Sequence, residues 1–70
     1  MPYYIVNNNP DDKGRHEVHT NTCAHLPSKA NQIDAGYHSD CAAAIKSLKL
    51  NNPYHEFDGC WYCSRACNRG

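Results

Sequence analysis

At 70 residues the chain has a size at which an apolar core alone is marginal, burying only about 60% of the surface its unfolded form exposes. Seven Lys/Arg against seven Asp/Glu exclude the overall basic excess by which dedicated nucleic-acid binders neutralise phosphate. No stretch approaches the roughly 20 apolar residues of a membrane-spanning helix, and the aliphatics are so few (chiefly Ile5, Val6, Val18, Leu26, Ile33, Ile45, Leu48 and Leu50) that a covalent or metal staple is expected.

Tyr3 to Val6 is a short β-favouring run, and Arg15 to Thr20 is a second. Between them Asn7 to Gly14 reads Asn-Asn-Asn-Pro-Asp-Asp-Lys-Gly, dense in turn formers, so the pair predicts an antiparallel hairpin with a long tip. His19 then falls near the end of the second strand and Cys23 in the turn that follows. Leu26 to Asn31, with Pro27 and Ser28, reads as loop, and Ile33 to Tyr37 as a brief extended stretch that Gly36 weakens. Ser39 or Asp40 caps a helix in which Cys41, Ala44, Ile45 and Leu48 follow the i, i+3, i+4, i+7 pattern, and Asn51, Asn52 and Pro53 end it. On that apolar face Cys41 is expected to pack as a small hydrophobe. Pro53 to Gly59 reads as a connection turning at Asp58-Gly59, followed by the cysteine-rich run Cys60 to Cys67 and a flexible tail at 68–70. The expected architecture is one α+β domain over 1–70: an antiparallel β-hairpin or three-stranded sheet, one helix, and a C-terminal zinc knuckle closing against the turn after the second strand.

The chemistry is concentrated in two separated half-sites, His19 with Cys23 and Cys60 with Cys63. Three sulfurs and one imidazole form the tetrahedral donor set of a structural zinc ion, and each half has the spacing by which a turn presents two side chains to one ion. Cys67, four residues after Cys63, is a substitute ligand if its segment coils into a helix, or else a free thiol beside the site. His25, two residues after Cys23, is the substitute if His19 points elsewhere. Five cysteines is an odd number, and Met1 to Val6 lacks the basic and apolar regions of a signal peptide. A reducing cytoplasm and a metal, in preference to a disulfide framework, are therefore expected.

Enzymatic patterns fail on spacing. His16-Glu17-Val18-His19 sets its histidines three apart in a strand, where a zincin helix needs four, so Glu17 reads as an exposed strand carboxylate. His55-Glu56 ahead of a CxxC lacks the deaminase His-x-Glu and Pro-Cys-x-x-Cys. A thiol oxidoreductase using Cys60 and Cys63 needs a larger βαβ sheet than 70 residues provide.

The order of half-sites, with a Tyr37-containing extended stretch, an alanine-rich helix and Gly59-Cys60 ahead of Cys63, resembles the Ada-like zinc-binding domains of DNA-repair proteins and some nucleases. That resemblance covers about Val18 to Cys63 and implies one zinc held by four ligands. The repair domain's methyl acceptor is a zinc-bound cysteine at the position His19 holds here, so alkyl transfer does not carry over. Over most of its length the chain is also similar to a family of small uncharacterised bacterial cysteine-rich proteins with His-Glu-Val-His, a following Cys and Leu-Pro, and a C-terminal Gly-Cys-aromatic-aromatic-Cys. That likeness implies no function.

A metal with four protein ligands has no open position for substrate, so the expected function is non-enzymatic. The chain reads as a zinc-stabilised binding module with an accessory or inhibitory role, its partner a protein engaged through exposed aromatics among Tyr3, Tyr4, Tyr37, Trp61 and Tyr62. The alternative is a nucleic-acid-binding accessory domain, for which Arg65 and Arg69 supply local charge, and the second alternative is a thiol oxidoreductase acting through Cys60 and Cys63. Neither a small-molecule substrate nor a membrane is expected.

Overall fold

The computed structural model describes residues 1–70 and has one helix on a mixed four-stranded sheet. The strands are β1 (Tyr3–Asn7), β2 (Arg15–Thr20), β3 (Gln32–Tyr37) and β4 (Glu56–Gly59), with helix α1 (Cys41–Asn51) between the last two. Their order across the sheet is β3-β1-β2-β4, with β1 antiparallel to both neighbours and β4 parallel to β2. The α+β class, the hairpin, the helix and the C-terminal cysteine cluster match the sequence reading; the parallel fourth strand extends it.

Alternation along the central strands sorts the side chains. Tyr4, Val6 and Val18 join Cys41, Ala44 and Phe57 in the buried cluster beneath α1, with Ile45 and Leu48 packed at its margin. Ile5 and His19, cross-strand partners on β1 and β2, are buried on the opposite face. The sheet therefore has an apolar helix face and a second face on which His19 is placed.

Local chemistry sets the connections. At the hairpin tip Asp11 Oδ1 accepts the backbone N–H groups of Lys13 and Arg15, each at 2.9 Å, and Gly14 turns the chain at φ +77°. In β3 the register steps from Ile5 opposite Asp34 to Tyr4 opposite Gly36, leaving Ala35 as the extra residue of a bulge that Gly36 completes at φ +84°. Gly36 thus bends the strand without ending it. Asp40 caps α1 by accepting the Ala43 N–H at 2.8 Å.

The Asp58-Gly59 pair, expected to turn, instead lies in β4. Asp58 is 4% exposed, and its carboxylate accepts the Arg69 N–H at 2.7 Å and faces the Arg15 guanidinium at 3.6 Å. A buried carboxylate needs such partners, and supplying them draws residues 68–70, expected as a flexible tail, back along β4. Asn68 donates to the Gly59 carbonyl at 2.8 Å and Arg69 Nη2 to the Phe57 carbonyl at 2.7 Å. The Gly70 carbonyl accepts from both Arg15 and Lys13.

Cys41 packs in the core as expected, but it is also bonded to Cys67 in a disulfide that ties the start of α1 to the short 3-10 turn Arg65–Cys67. Cys67 is therefore neither a metal ligand nor a free thiol. The expectation that metal would replace disulfides is corrected: the chain carries one disulfide and three free cysteines, Cys23, Cys60 and Cys63.

Candidate metal centre

The fold brings the two half-sites together. His19 leaves β2 on the face opposite the helix, and the tight turn closed by Cys23 N–H to the Thr20 carbonyl at 3.1 Å returns Cys23 beside it. On the other side, β4 runs parallel to β2 and hands over to Cys60, whose N–H donates to the Val18 carbonyl at 2.9 Å. A further bond, Ser64 N–H to the Cys60 carbonyl at 2.8 Å, curls the next residues so that Cys63 faces the same point.

One ligand atom from each of His19, Cys23, Cys60 and Cys63 lies within 4.8 Å of the others. The Cys23 and Cys60 sulfurs are 3.8 Å apart. A tetrahedral ion with metal–sulfur bonds of about 2.3 Å separates its sulfurs by about 3.8 Å, so this edge already has the length of a coordination tetrahedron. His19 and Cys60 are each 1% exposed, and His19 Nδ1 is a buried polar atom with no hydrogen-bond partner. An orphaned buried nitrogen is costly unless something completes it, and a metal ion would do so.

The surroundings favour the ligating form of His19. Burial, then the nearby charge of His25, pulls the His19 imidazole below its ordinary pKa and keeps it neutral, as a ligand must be. Its Nε2 lies 3.5 Å from Glu17 Oε1. With the imidazole neutral this is a carboxylate–imidazole contact and no true ion pair, the arrangement by which carboxylates orient metal-bound histidines. Glu17 itself is raised above the usual carboxylate range, first by burial and then by the charges of Asp11 and Asp58.

The sulfurs receive backbone donors, Thr20 N–H to Cys63 Sγ at 3.3 Å and His25 N–H to Cys23 Sγ at 3.4 Å. Burial pushes the Cys23 thiol up to about 11. Burial also opposes ionisation of Cys63, but the Thr20 N–H, the Ser64 hydroxyl and the Cys23 thiol outweigh it and bring that group below its ordinary value. The two thiols are thus shifted in opposite directions, and a divalent ion would displace the protons of both on binding.

All four residues singled out from the sequence thus meet, whereas neither substitute joins them. Cys67 is held by Cys41, and the His25 ring stacks on Tyr62 with centroids 3.7 Å apart. Two contributors were not legible as such. Glu17, read as a solvated carboxylate, touches His19; strand parity puts residues 17 and 19 on one face, and that was the available signal. Gly59 reads from the sequence as a turn residue and as part of the Gly-Cys motif, without a packing role, yet a Cβ there would lie 2.4 Å from the Ser64 carbonyl oxygen, so the knuckle needs a glycine before its first cysteine.

Because Cys60 and Cys63 turn inward, the two residues between them are thrown outward: Trp61 is 52% exposed and Tyr62 66%. The Arg65 guanidinium sits 4.2 Å from the centre of the Trp61 ring. No helix is long and apolar enough to cross a membrane. Comparison with protein families, with curated proteins and with solved structures finds no match, so the reading of the centre rests on its own four donors.

Proposed function

We propose that the chain is a non-enzymatic binding module stabilised by a structural zinc ion, and that it engages a protein partner through the aromatics its metal knuckle displays. The observation carrying this reading is the closed set of His19, Cys23, Cys60 and Cys63 around one point, with the orphaned Nδ1 of His19 among them. Three thiolates and one imidazole suit zinc over the harder divalent ions, and four protein donors leave no position for a reacting substrate. Thiol exchange by Cys60 and Cys63 would need both sulfurs to be reached in turn, and while Cys63 is half-buried, Cys60 is buried. We place the module in the cytoplasm, where the ligating thiols stay reduced. Burial of Cys41 favours survival of the disulfide there.

Native mass spectrometry of untagged protein purified without chelator tests the metal, with circular dichroism before and after EDTA. One zinc per chain and loss of the folded spectrum on its removal are expected. A metal-free chain that stays folded with an unchanged melting temperature, or a Cys63→Ser variant that keeps both fold and zinc, would sink the reading. A second reading, an accessory domain for nucleic acid, is favoured by the Arg65–Trp61 pair, since guanidinium and indole together suit a stacked nucleotide. Binding through phosphates weakens steeply with salt, whereas an aromatic-anchored protein contact does not, so one salt titration of the isolated complex separates them.

A further inference from the structure

We infer a second, open site for a borderline divalent transition-metal ion, such as Ni²⁺, Cu²⁺ or Zn²⁺, formed by His16 and His55 on the helix face of the sheet. His16 Nε2 and His55 Nδ1 are 3.1 Å apart. Imidazole nitrogens bound at about 2.0–2.1 Å on adjacent positions of one ion lie about 2.9 Å apart at a right angle and about 3.4 Å apart at a tetrahedral angle. The observed separation falls between the two.

The tautomer of His16 is set. Its Nδ1 is 2.9 Å from the Asn7 carbonyl oxygen, which can only accept, so Nδ1 carries the hydrogen and Nε2 presents its lone pair to His55. A ligating histidine anchored through its other nitrogen to a backbone carbonyl is the usual outer-shell arrangement of metal sites. His55 Nδ1 then donates its own hydrogen to that lone pair. A metal ion would take the place of this shared hydrogen, which is the only ring proton of neutral His55 and would move from its Nδ1 to its Nε2.

The rings are also held in place. Parallel pairing of β2 with β4 sets His16 opposite Phe57, and His55 lies two residues before it. The Phe57 ring is 5.9 Å from that of His16 and 6.5 Å from that of His55. The His55 backbone is tethered by its N–H to the Asn52 carbonyl at 3.1 Å and by its own carbonyl, which accepts from Lys49 Nζ at 2.8 Å. That ammonium is charge-paired with Glu56 at 2.7 Å, which reduces its repulsion of an arriving cation. His16 and Val18 share one face of β2 while Glu17 and His19 share the other, so this pair is separate from the four-ligand centre and does not depend on it. Two protein nitrogens leave the remaining positions to water, making the site exchangeable where the other is closed.

The test is titration of the purified protein with NiCl₂ at neutral pH, followed by calorimetry and by the ring ¹H–¹⁵N signals of its histidines, with zinc content measured before and after. Saturable binding that broadens the His16 and His55 ring signals, releases no zinc, is lost in both His16→Gln and His55→Gln, and persists in His38→Gln is expected. His55 is exposed, so H55Q leaves the fold intact even if H16Q does not. Absence of saturable binding, binding that leaves those two ring signals sharp, or broadening unchanged in H55Q would overturn the assignment.

Discussion

A methyl group at Gly59 would meet the Ser64 carbonyl oxygen at 2.4 Å and Cys67 Cβ at 2.6 Å, and neither can retreat, because one belongs to the knuckle turn and the other to a disulfide. Gly59→Ala is therefore expected to destabilise the fold by about 1–3 kcal/mol, the range of overpacked sites, seen as a lower melting temperature by circular dichroism. Glu17 acts on the centre through His19. Glu17→Ala should weaken zinc binding by about tenfold in competition with a chromophoric chelator, while Glu17→Gln, which still fills the position, should lose less. Asp11 governs acid sensitivity at the hairpin tip. The Arg15 N–H, helped by that of Lys13, holds its carboxyl below the ordinary value of 3.8. Its stabilising effect is thus present above that value and lost as pH falls through the lower folded one, and Asp11→Asn should flatten this part of an acid-denaturation curve. At this scale the sequence was most readable for the ligands, whose chemistry is announced by residue type. It was least readable for Gly59 and Glu17, whose roles depend on what packs against them.

Among the elements, β1, β2 and α1 were legible because their signals are local: β-branched and aromatic runs flanked by turn formers, and an apolar stripe behind an Asp40 cap. Strand β4 was not, since Glu-Phe-Asp-Gly has one apolar side chain and a turn-like ending, and it becomes a strand by pairing with β2 and by burying Asp58 against Arg69 and Arg15. The disulfide joins elements 26 residues apart along the chain, bolting α1 to the segment that follows the knuckle. By the chain-entropy account a loop of that length contributes about 3–4 kcal/mol. Replacing both cysteines, Cys41→Ala with Cys67→Ala, should lower the unfolding free energy from urea titration by about 3–4 kcal/mol while retaining zinc. A variant that loses zinc would show that the bolt also positions Cys60 and Cys63.

The molecule as a whole is clamped from two sides of one sheet. The helix-face cluster contains none of the four candidate ligands, and the candidate metal centre sits across the sheet from it, so the segment from Gly59 to Cys67 carries two of those ligands at one end and the disulfide at the other. Alkylation of the native protein followed by mass spectrometry should read this arrangement directly. Little labelling is expected in the zinc form, three labels after chelation and all five only after reduction, in line with three free and two bonded cysteines. Five labels on chelation alone would show that the disulfide is not kept in solution.

The sequence by itself determined the four candidate donors that the fold brings together, the hairpin that carries one half of them and the helix that covers the sheet, because each is encoded by neighbours within a few residues. Tertiary structure alone decided the parallel β4, the partner of Cys41, the meeting of His16 with His55 across 39 residues and the bond from Thr20 to Cys63 across 43. Such contacts depend on register and on the closure of long loops. A one-residue slip in the pairing of β2 would turn His16 and His19 to the other faces of the sheet, and no local pattern records which register wins.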